Sequence, residues 1–167
     1  MSPLAIAVLT ISDSRTPDND TSGDLLVERL TGNGHLLASR DLVPDNVYQI
    51  RATVSNWIAD DTTDVVLATG GTGFTGRDST PEALLPLFDK TIEGFGELFR
   101  QISYGEIGSS TIQSRALAGL ANATLIFAVP GSTNACATAW DRILQNQLDS
   151  TFKPCNFAEL ISRFNES

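Results

Sequence analysis

An almost unbroken apolar run, Leu4-Ala5-Ile6-Ala7-Val8-Leu9-Thr10-Ile11, opens the chain. It is too apolar for a strand with one wet face and suits a strand covered on both sides, as in a parallel sheet. After a loop from Ser12 to Asn19, Asp20 or Thr21 caps a helix through about Thr31, with Leu25, Leu26, Val27 and Leu30 as its apolar stripe and Gly32-Asn33-Gly34 ending it. A second strand is expected within His35 to Val43. Pro44-Asp45-Asn46 then breaks the chain and caps a helix reaching about Asp60, where Val47, Ile50, Val54, Trp57 and Ile58 recur at helical spacing. Val65 to Ala68 is a third buried strand. A glycine-rich loop follows, then a helix from Pro81 to about Phe88 and a further helical stretch near Phe95 to Ser103.

Beyond Gly108, Arg115 to Leu120 and Thr124 to Val129 flank Ala121-Asn122-Ala123, which fits a hairpin or a helix followed by a strand; the hairpin is preferred. Pro130-Gly131-Ser132 ends the second segment, and Ser132 or Thr133 caps a helix to about Leu148. Alternating strands and helices predict a single-domain α/β fold, layered around a mostly parallel sheet with a small antiparallel hairpin. No repeat or linker divides residues 1–167.

The richest local chemistry lies in Thr69-Gly70-Gly71-Thr72-Gly73-Phe74-Thr75-Gly76-Arg77-Asp78-Ser79-Thr80-Pro81-Glu82. Glycines let the backbone turn and approach a ligand so that several N–H groups converge on an anion, and Thr80-Pro81 reads as an N-cap followed by the first helical residue. Gly71-x-Gly73-x-x-Gly76 matches a dinucleotide fingerprint in form, but the helix opens too late and no acidic strand end follows at the required distance. Asp13, Asp45 and Asp78 each lie just past a strand, at the sheet edge where open α/β folds bind ligands and where carboxylates hold Mg²⁺ against phosphates. Helix capping is the plainer role for Asp13 and Asp45; Asp78, beside the glycine loop, is the stronger functional candidate. Arg77 and Arg115 are candidate phosphate ligands. Ser132, at a strand end before a helix, is either an anion ligand or a simple cap.

Charge narrows the partners. Eleven basic against twenty acidic residues leave a net charge of -9, which opposes a broad nucleic-acid or anionic-membrane surface. The N-terminal apolar run lacks a basic flank and falls far short of the roughly 20 residues of a membrane span. Cys136 and Cys155 form no metal-spaced group and are expected to be reduced, pointing to a cytoplasmic protein. His35, the sole histidine, has no recognisable partner, so a histidine-based triad is disfavoured. Leu84 to Phe88 and Phe95, Leu98, Phe99 and Ile102 carry enough apolar surface to suggest subunit contacts, with core burial as the rival explanation.

Thr10-Ile11-Ser12-Asp13, Thr69 to Gly73, Arg77 to Glu82, Gly94-Phe95-Gly96-Glu97, Gln113-Ser114-Arg115 and Val129-Pro130-Gly131-Ser132 together resemble the MoaB/MogA family of molybdenum cofactor biosynthesis proteins. Length and the Pro-Cys-Asn-Phe segment at 154–157 are more similar to the MoaB branch. The resemblance implies a three-layer, molybdopterin-binding α/β domain that assembles as a trimer or hexamer. It also implies, for the catalytic branch, transfer of AMP from Mg-ATP to the terminal phosphate of molybdopterin. The family's functional carboxylates correspond to Asp45 and Asp78, which would place Mg²⁺ and the triphosphate. The pterin phosphate is expected beside Gly70, Gly71, Thr72 and Gly73 and the Pro130-Gly131-Ser132 turn, with Ser12, Asp13, Arg77, Ser114 and Arg115 as further contacts. Retention of Asp13, Asp45 and Asp78 favours a working adenylyltransferase; a non-catalytic molybdopterin carrier or scaffold is the alternative.

Overall fold

In the computed structural model, which describes residues 1–166, alternate residues of the first strand enter two different cores. β1 (Ala5–Ile11) sends Ile6 and Val8 to one side of the sheet and Ala7, Leu9 and Ile11 to the other. Side chains of successive strand residues point to opposite faces, so an uninterrupted apolar run requires cover on both. On the first side that cover is Leu26 and Leu30 of α1 (Thr21–Gly32), Phe95 and Phe99 of α4 (Glu93–Ile107), and Cys136 and Ala139 of α5 (Thr133–Ala139). On the second it is Ile50, Val54 and Trp57 of α2 (Val47–Ala59), with Ala83 and Leu84 of α3 (Thr80–Leu84). The expected three-layer α/β arrangement is what forms.

The six strands run in the order β2, β1, β3, β6, β5, β4, with β2 at Leu36–Val43, β3 at Val65–Thr69, β4 at Lys90–Thr91, β5 at Leu117–Ala121 and β6 at Thr124–Val129. β2, β1, β3 and β6 are mutually parallel; β5 is antiparallel to both β6 and β4. The preferred hairpin is present. Its two turn residues, Asn122 and Ala123, have φ of 45° and 65°. Positive φ at both central positions matches the twist of a two-residue hairpin. The Asn122 amide donates to the Ile58 carbonyl and its backbone N–H to Asp89.

Two local readings need correction. Ser79, not Thr80, precedes α3; Thr80 is already helical, and its hydroxyl donates to the Gly70 carbonyl instead of capping. The α-helical part of that segment stops at Leu84 and gives way to a 3₁₀ turn at Leu85–Leu87, because Pro86 lacks an N–H and its ring crowds the carbonyl four residues back. The last helix runs to Gln147, as expected, with a π-helical turn at Trp140–Leu144 between α5 and a final turn at Gln145–Gln147. β4 was not anticipated, since two residues carry no period. It lies next to a close contact in which the Phe88 ring occupies the space a side chain at Gly119 would need.

His35 lies immediately before β2 and is buried: Nδ1 accepts the Leu4 N–H at 3.2 Å, its ring meets Trp140 edge-on, and Nε2 has no partner among the described residues. Since Nδ1 is an acceptor, the neutral ring carries its proton on Nε2. Of the apolar segment flagged for subunit contacts, Leu84, Phe95 and Phe99 are core residues, while Leu85 and Leu98 remain exposed. Cys136 is buried and Cys155 exposed, both as free thiols. Among the described residues no helix is long and apolar enough to cross a membrane.

Two outcomes follow from this packing. Ala123→Gly removes a left-handed alanine and should raise stability by about 1 kcal/mol in urea unfolding, without a change in m. Burial lowers the His35 pKa, against a smaller opposing pull from Asp149. As pH falls below about 6.5 the unfolded chain takes up a proton that the native imidazole resists, so stability drops with falling pH by up to about 1.4 kcal/mol per unit. Urea midpoints measured between pH 8 and 5 should show that slope in the parent chain and lose it in His35→Gln.

Candidate functional site

The carboxyl ends of β1, β2, β3 and β6 all open onto one cleft of about 510 Å³. Ser12, Asp13, Asp45, Gly70, Gly71, Thr72, Gly73, Arg77, Asp78, Ser114, Pro130 and Gly131 line it, so the structure gathers twelve of the residues singled out in the sequence. Arg115 and Ser132 do not line it. The cleft lies at the position expected for a ligand site in an open α/β sheet.

Its floor is the turn after β3. Gly70 has φ of 104° and packs directly against the Ile11 carbonyl, and Gly71 has φ of 64° with Thr80 and Asp45 around it; a side chain fits at neither. Every carbonyl from Gly70 to Gly73 is held by another part of the chain. Gly70 O accepts from the Thr80 hydroxyl at 2.8 Å, Gly71 O from Thr80 N–H at 3.0 Å, Thr72 O from Arg115 N–H at 3.1 Å, and Gly73 O from Arg115 Nε at 2.8 Å. In a trans peptide the C=O and the following N–H point in opposite directions. Anchoring the Gly70 and Gly71 carbonyls therefore turns the Gly71 and Thr72 N–H groups the other way, and among the described residues neither finds an acceptor. Two free N–H groups on a glycine turn are a ready anion cradle.

Three carboxylates stand around this turn. Asp45 is nearly buried: Oδ1 accepts from Ser79 N–H at 3.1 Å and from its hydroxyl at 2.6 Å, while Oδ2, beside Gly71, receives no hydrogen bond from the described residues. Asp78 folds back on its own loop, accepting from the Thr75 hydroxyl at 2.7 Å and N–H at 2.8 Å. The Thr75 hydroxyl is the main reason its pKa is lowered; partial burial opposes this, and the Thr75 and Gly73 N–H groups add to the lowering. Asp13 accepts both Nε and Nη2 of Arg77 at 2.8 Å and the Asp45 N–H at 3.0 Å. The Arg77 fork, helped by that N–H, holds the Asp13 carboxyl below its usual range. Both acids thus keep their charge at neutral pH.

The arginines differ most from expectation. Arg77 lines the cleft, but its fork is engaged by Asp13. Arg115 lies behind the loop: Nε holds Gly73 O, Nη2 the Asp78 carbonyl at 3.2 Å, Nη1 pairs with Glu82, and the guanidinium sits 5.1 Å from the centre of the Phe74 ring. It is a clamp on the turn rather than an anion ligand. Ser132 takes the simpler of its two roles, its oxygen accepting the Ala135 N–H at the start of α5. Arg15 and Ser110 line the cleft without having been singled out. Arg15 had one available signal, its position two residues after Asp13 in the same loop.

Among the described residues no three His, Cys, Asp or Glu side chains form a group able to hold a metal unaided. A magnesium ion needs less, since it commonly uses one or two carboxylates and takes its remaining ligands from phosphate and water. The free Oδ2 of Asp45, with Asp78 on the same turn, fits such a shared site.

Residues 7–150 match the family described as probable molybdopterin binding domain. Molybdenum cofactor biosynthesis protein B of Escherichia coli (strain K12) is 57% identical over 155 residues, covering 93% of this chain and 91% of its own length. The Bacillus subtilis (strain 168) protein of the same name is 43% identical over 142 residues, covering 84% of each. Among solved structures, a molybdenum cofactor biosynthesis protein B superimposes with a TM-score of 0.85 at 43% identity, covering 88% of this chain and 92% of that one. The tungsten cofactor synthesizing protein MoaB from Pyrococcus furiosus gives 0.77 at 36% identity, with 86% and 91% covered. With a shared fold and this extent of identity over most of its length, the chain belongs to the molybdopterin-binding-domain family, among the molybdenum cofactor biosynthesis proteins of the MoaB type.

Proposed function

We propose that the cleft binds molybdopterin through its terminal phosphate and transfers AMP to that phosphate from Mg-ATP. The observation that carries the reading is the pairing of an open anion cradle at Gly71 and Thr72 with the unpartnered Asp45 oxygen beside it. A terminal phosphate oxygen forms a bond to the α-phosphorus of ATP, the bond from that phosphorus to the bridging oxygen breaks, and pyrophosphate leaves with the electron pair. The nucleophile is already an anion, so the chain needs no histidine base and can act by alignment and charge placement. Asp45 and Asp78 would hold the magnesium ion, which neutralises charge on the polyphosphate.

The residues of the chain supply the geometry. The Gly71 and Thr72 N–H groups receive the anionic end of the pterin, and Ser79 holds Asp45 so that one oxygen is constrained and the other faces the turn. The Asp13–Arg77 pair spans from the β1 loop to the glycine loop and sets the distance between those two walls. We extend the proposal to assembly: exposed Leu85 and Leu98, left out of the core, would pack between copies in a trimer or hexamer.

Asp45→Asn is the cleanest test of the chemistry, since it keeps Oδ1 as the acceptor for Ser79 and changes only the free position. With molybdopterin, ATP and Mg²⁺, turnover to adenylylated pterin should fall about a hundredfold or more while pterin affinity changes less than about threefold. Absence of product from the parent protein above a no-protein control, with tight pterin binding, would make the cleft a carrier site instead. A monomeric mass by light scattering at micromolar concentration would reject the assembly.

A further inference from the structure

The two arginines that look most like phosphate ligands in the sequence are committed elsewhere, which raises the question of which cation meets the bound anion. Arg15 lies in the loop after β1 and lines the cleft with its side chain about a quarter exposed. The loop is folded by Ser12, whose hydroxyl accepts the Ser14 and Arg15 N–H groups at 3.2 and 3.1 Å. The guanidinium is then placed by four partners. Nη1 donates to the Ser22 hydroxyl at 3.0 Å and the Thr21 hydroxyl at 3.4 Å, Nη2 donates to the Gly131 carbonyl at 3.2 Å, and the buried Asp20 carboxylate stands 3.6 Å from Nη1. Three of its five N–H protons are used; Nε and one proton of Nη2 have no acceptor among the described residues.

Its location along the turn is also defined. Gly131, which Arg15 holds, abuts Gly70, where a Cβ on Gly131 would lie 3.2 Å from the Gly70 Cα. Asp45 adjoins Gly71 and Asp78 adjoins Gly73. The cation therefore stands at the Gly70 end of the cradle, and the two acids at the Gly71 to Gly73 end.

We propose that Arg15 is the cationic side chain that binds the terminal phosphate of the pterin alongside the Gly71 and Thr72 N–H groups, with Asp20 as the positioning residue behind it. This rests on the proposed binding of molybdopterin in the cleft. The partners on Arg15 hold the fork before ligand arrives, so little side-chain freedom remains to be lost on binding. Asp20 is itself set from the other side by Arg40, at 3.0 Å, and by the Thr10 hydroxyl at 2.7 Å, so Arg15 is tied to the core. Arg40 does not line the cleft, which makes it the control for any effect carried through Asp20 alone.

The test compares binding of molybdopterin with binding of the same pterin after phosphatase treatment, under anaerobic conditions. Parent protein should prefer the phosphorylated form. Arg15→Gln should weaken molybdopterin about ten- to a hundredfold and leave the dephosphorylated pterin within about twofold, erasing most of the preference. Arg15→Lys, which keeps charge but not the fork, should lose an intermediate part, and Arg40→Gln should keep the preference. Full preference retained in folded Arg15→Gln overturns the inference. So does full retention in Arg15→Lys if the glutamine variant fails to fold, and so does an equal loss in Arg40→Gln. Parent protein that binds neither pterin overturns the proposed binding itself, and the inference with it.

Discussion

The constraint on which the site depends is the anchoring of consecutive carbonyls in a turn that has no regular secondary structure. A glycine turn alone samples many conformations, and ordering it is costly in backbone entropy. Here the cost is offset by donors from two directions. Thr80 contributes its N–H and its hydroxyl from the helix that follows, and Arg115 its N–H and Nε from the approach to β5. Because each peptide plane is rigid, holding its oxygen aims its nitrogen, and the outward face of the cradle is set without any contact to a ligand. The Gly70 N–H, donated to the Val129 carbonyl, fastens the same turn to the end of β6.

Electrostatics around the cradle are arranged locally, against the charge of the chain as a whole. With a net charge of -9, long-range attraction of an anion is absent, and binding must come from groups at contact distance. Asp13 is neutralised by Arg77 and the buried Asp20 by Arg40 and Arg15, so two of the acids near the cleft bring their own counter-charge. Asp20 shows the balance most clearly. Burial raises its pKa, but the Thr10 hydroxyl, the Gly23 N–H and Arg40 together outweigh this and lower it. Asp45 and Asp78 have no such cation at hydrogen-bonding distance among the described residues, and the proposed function gives that place to a magnesium ion.

Legibility in the sequence followed the range of the interactions. β1, β3 and β6 were readable because strands buried on both faces leave long apolar runs, and the hairpin because Asn122 marks its turn. The glycine loop was readable because its glycines are clustered, and Asp13, Asp45 and Asp78 because each follows a strand. What failed was the assignment of partners to long side chains. Arg77 meets an aspartate 64 residues away and Arg115 a carbonyl 42 residues away, and no periodicity encodes either pairing. Arg15 was missed for the same reason, since its fixed position arises from Gly131, 116 residues distant. The short β4 and the change from α3 to a 3₁₀ turn depend on two-residue detail, which a pattern of apolar spacing does not resolve.

Arg115 gives the hairpin a second role. It precedes β5 by two residues, and its guanidinium grips Gly73, the Asp78 carbonyl and Glu82 while its N–H holds Thr72. The sheet edge and the ligand turn are thereby mechanically joined, so fraying of β5 would release the turn carbonyls and blunt the cradle. By linkage, a ligand that favours the ordered turn also favours the paired hairpin. The antiparallel edge, which touches none of the chemistry, acts as a strut whose rigidity is part of the affinity of the site.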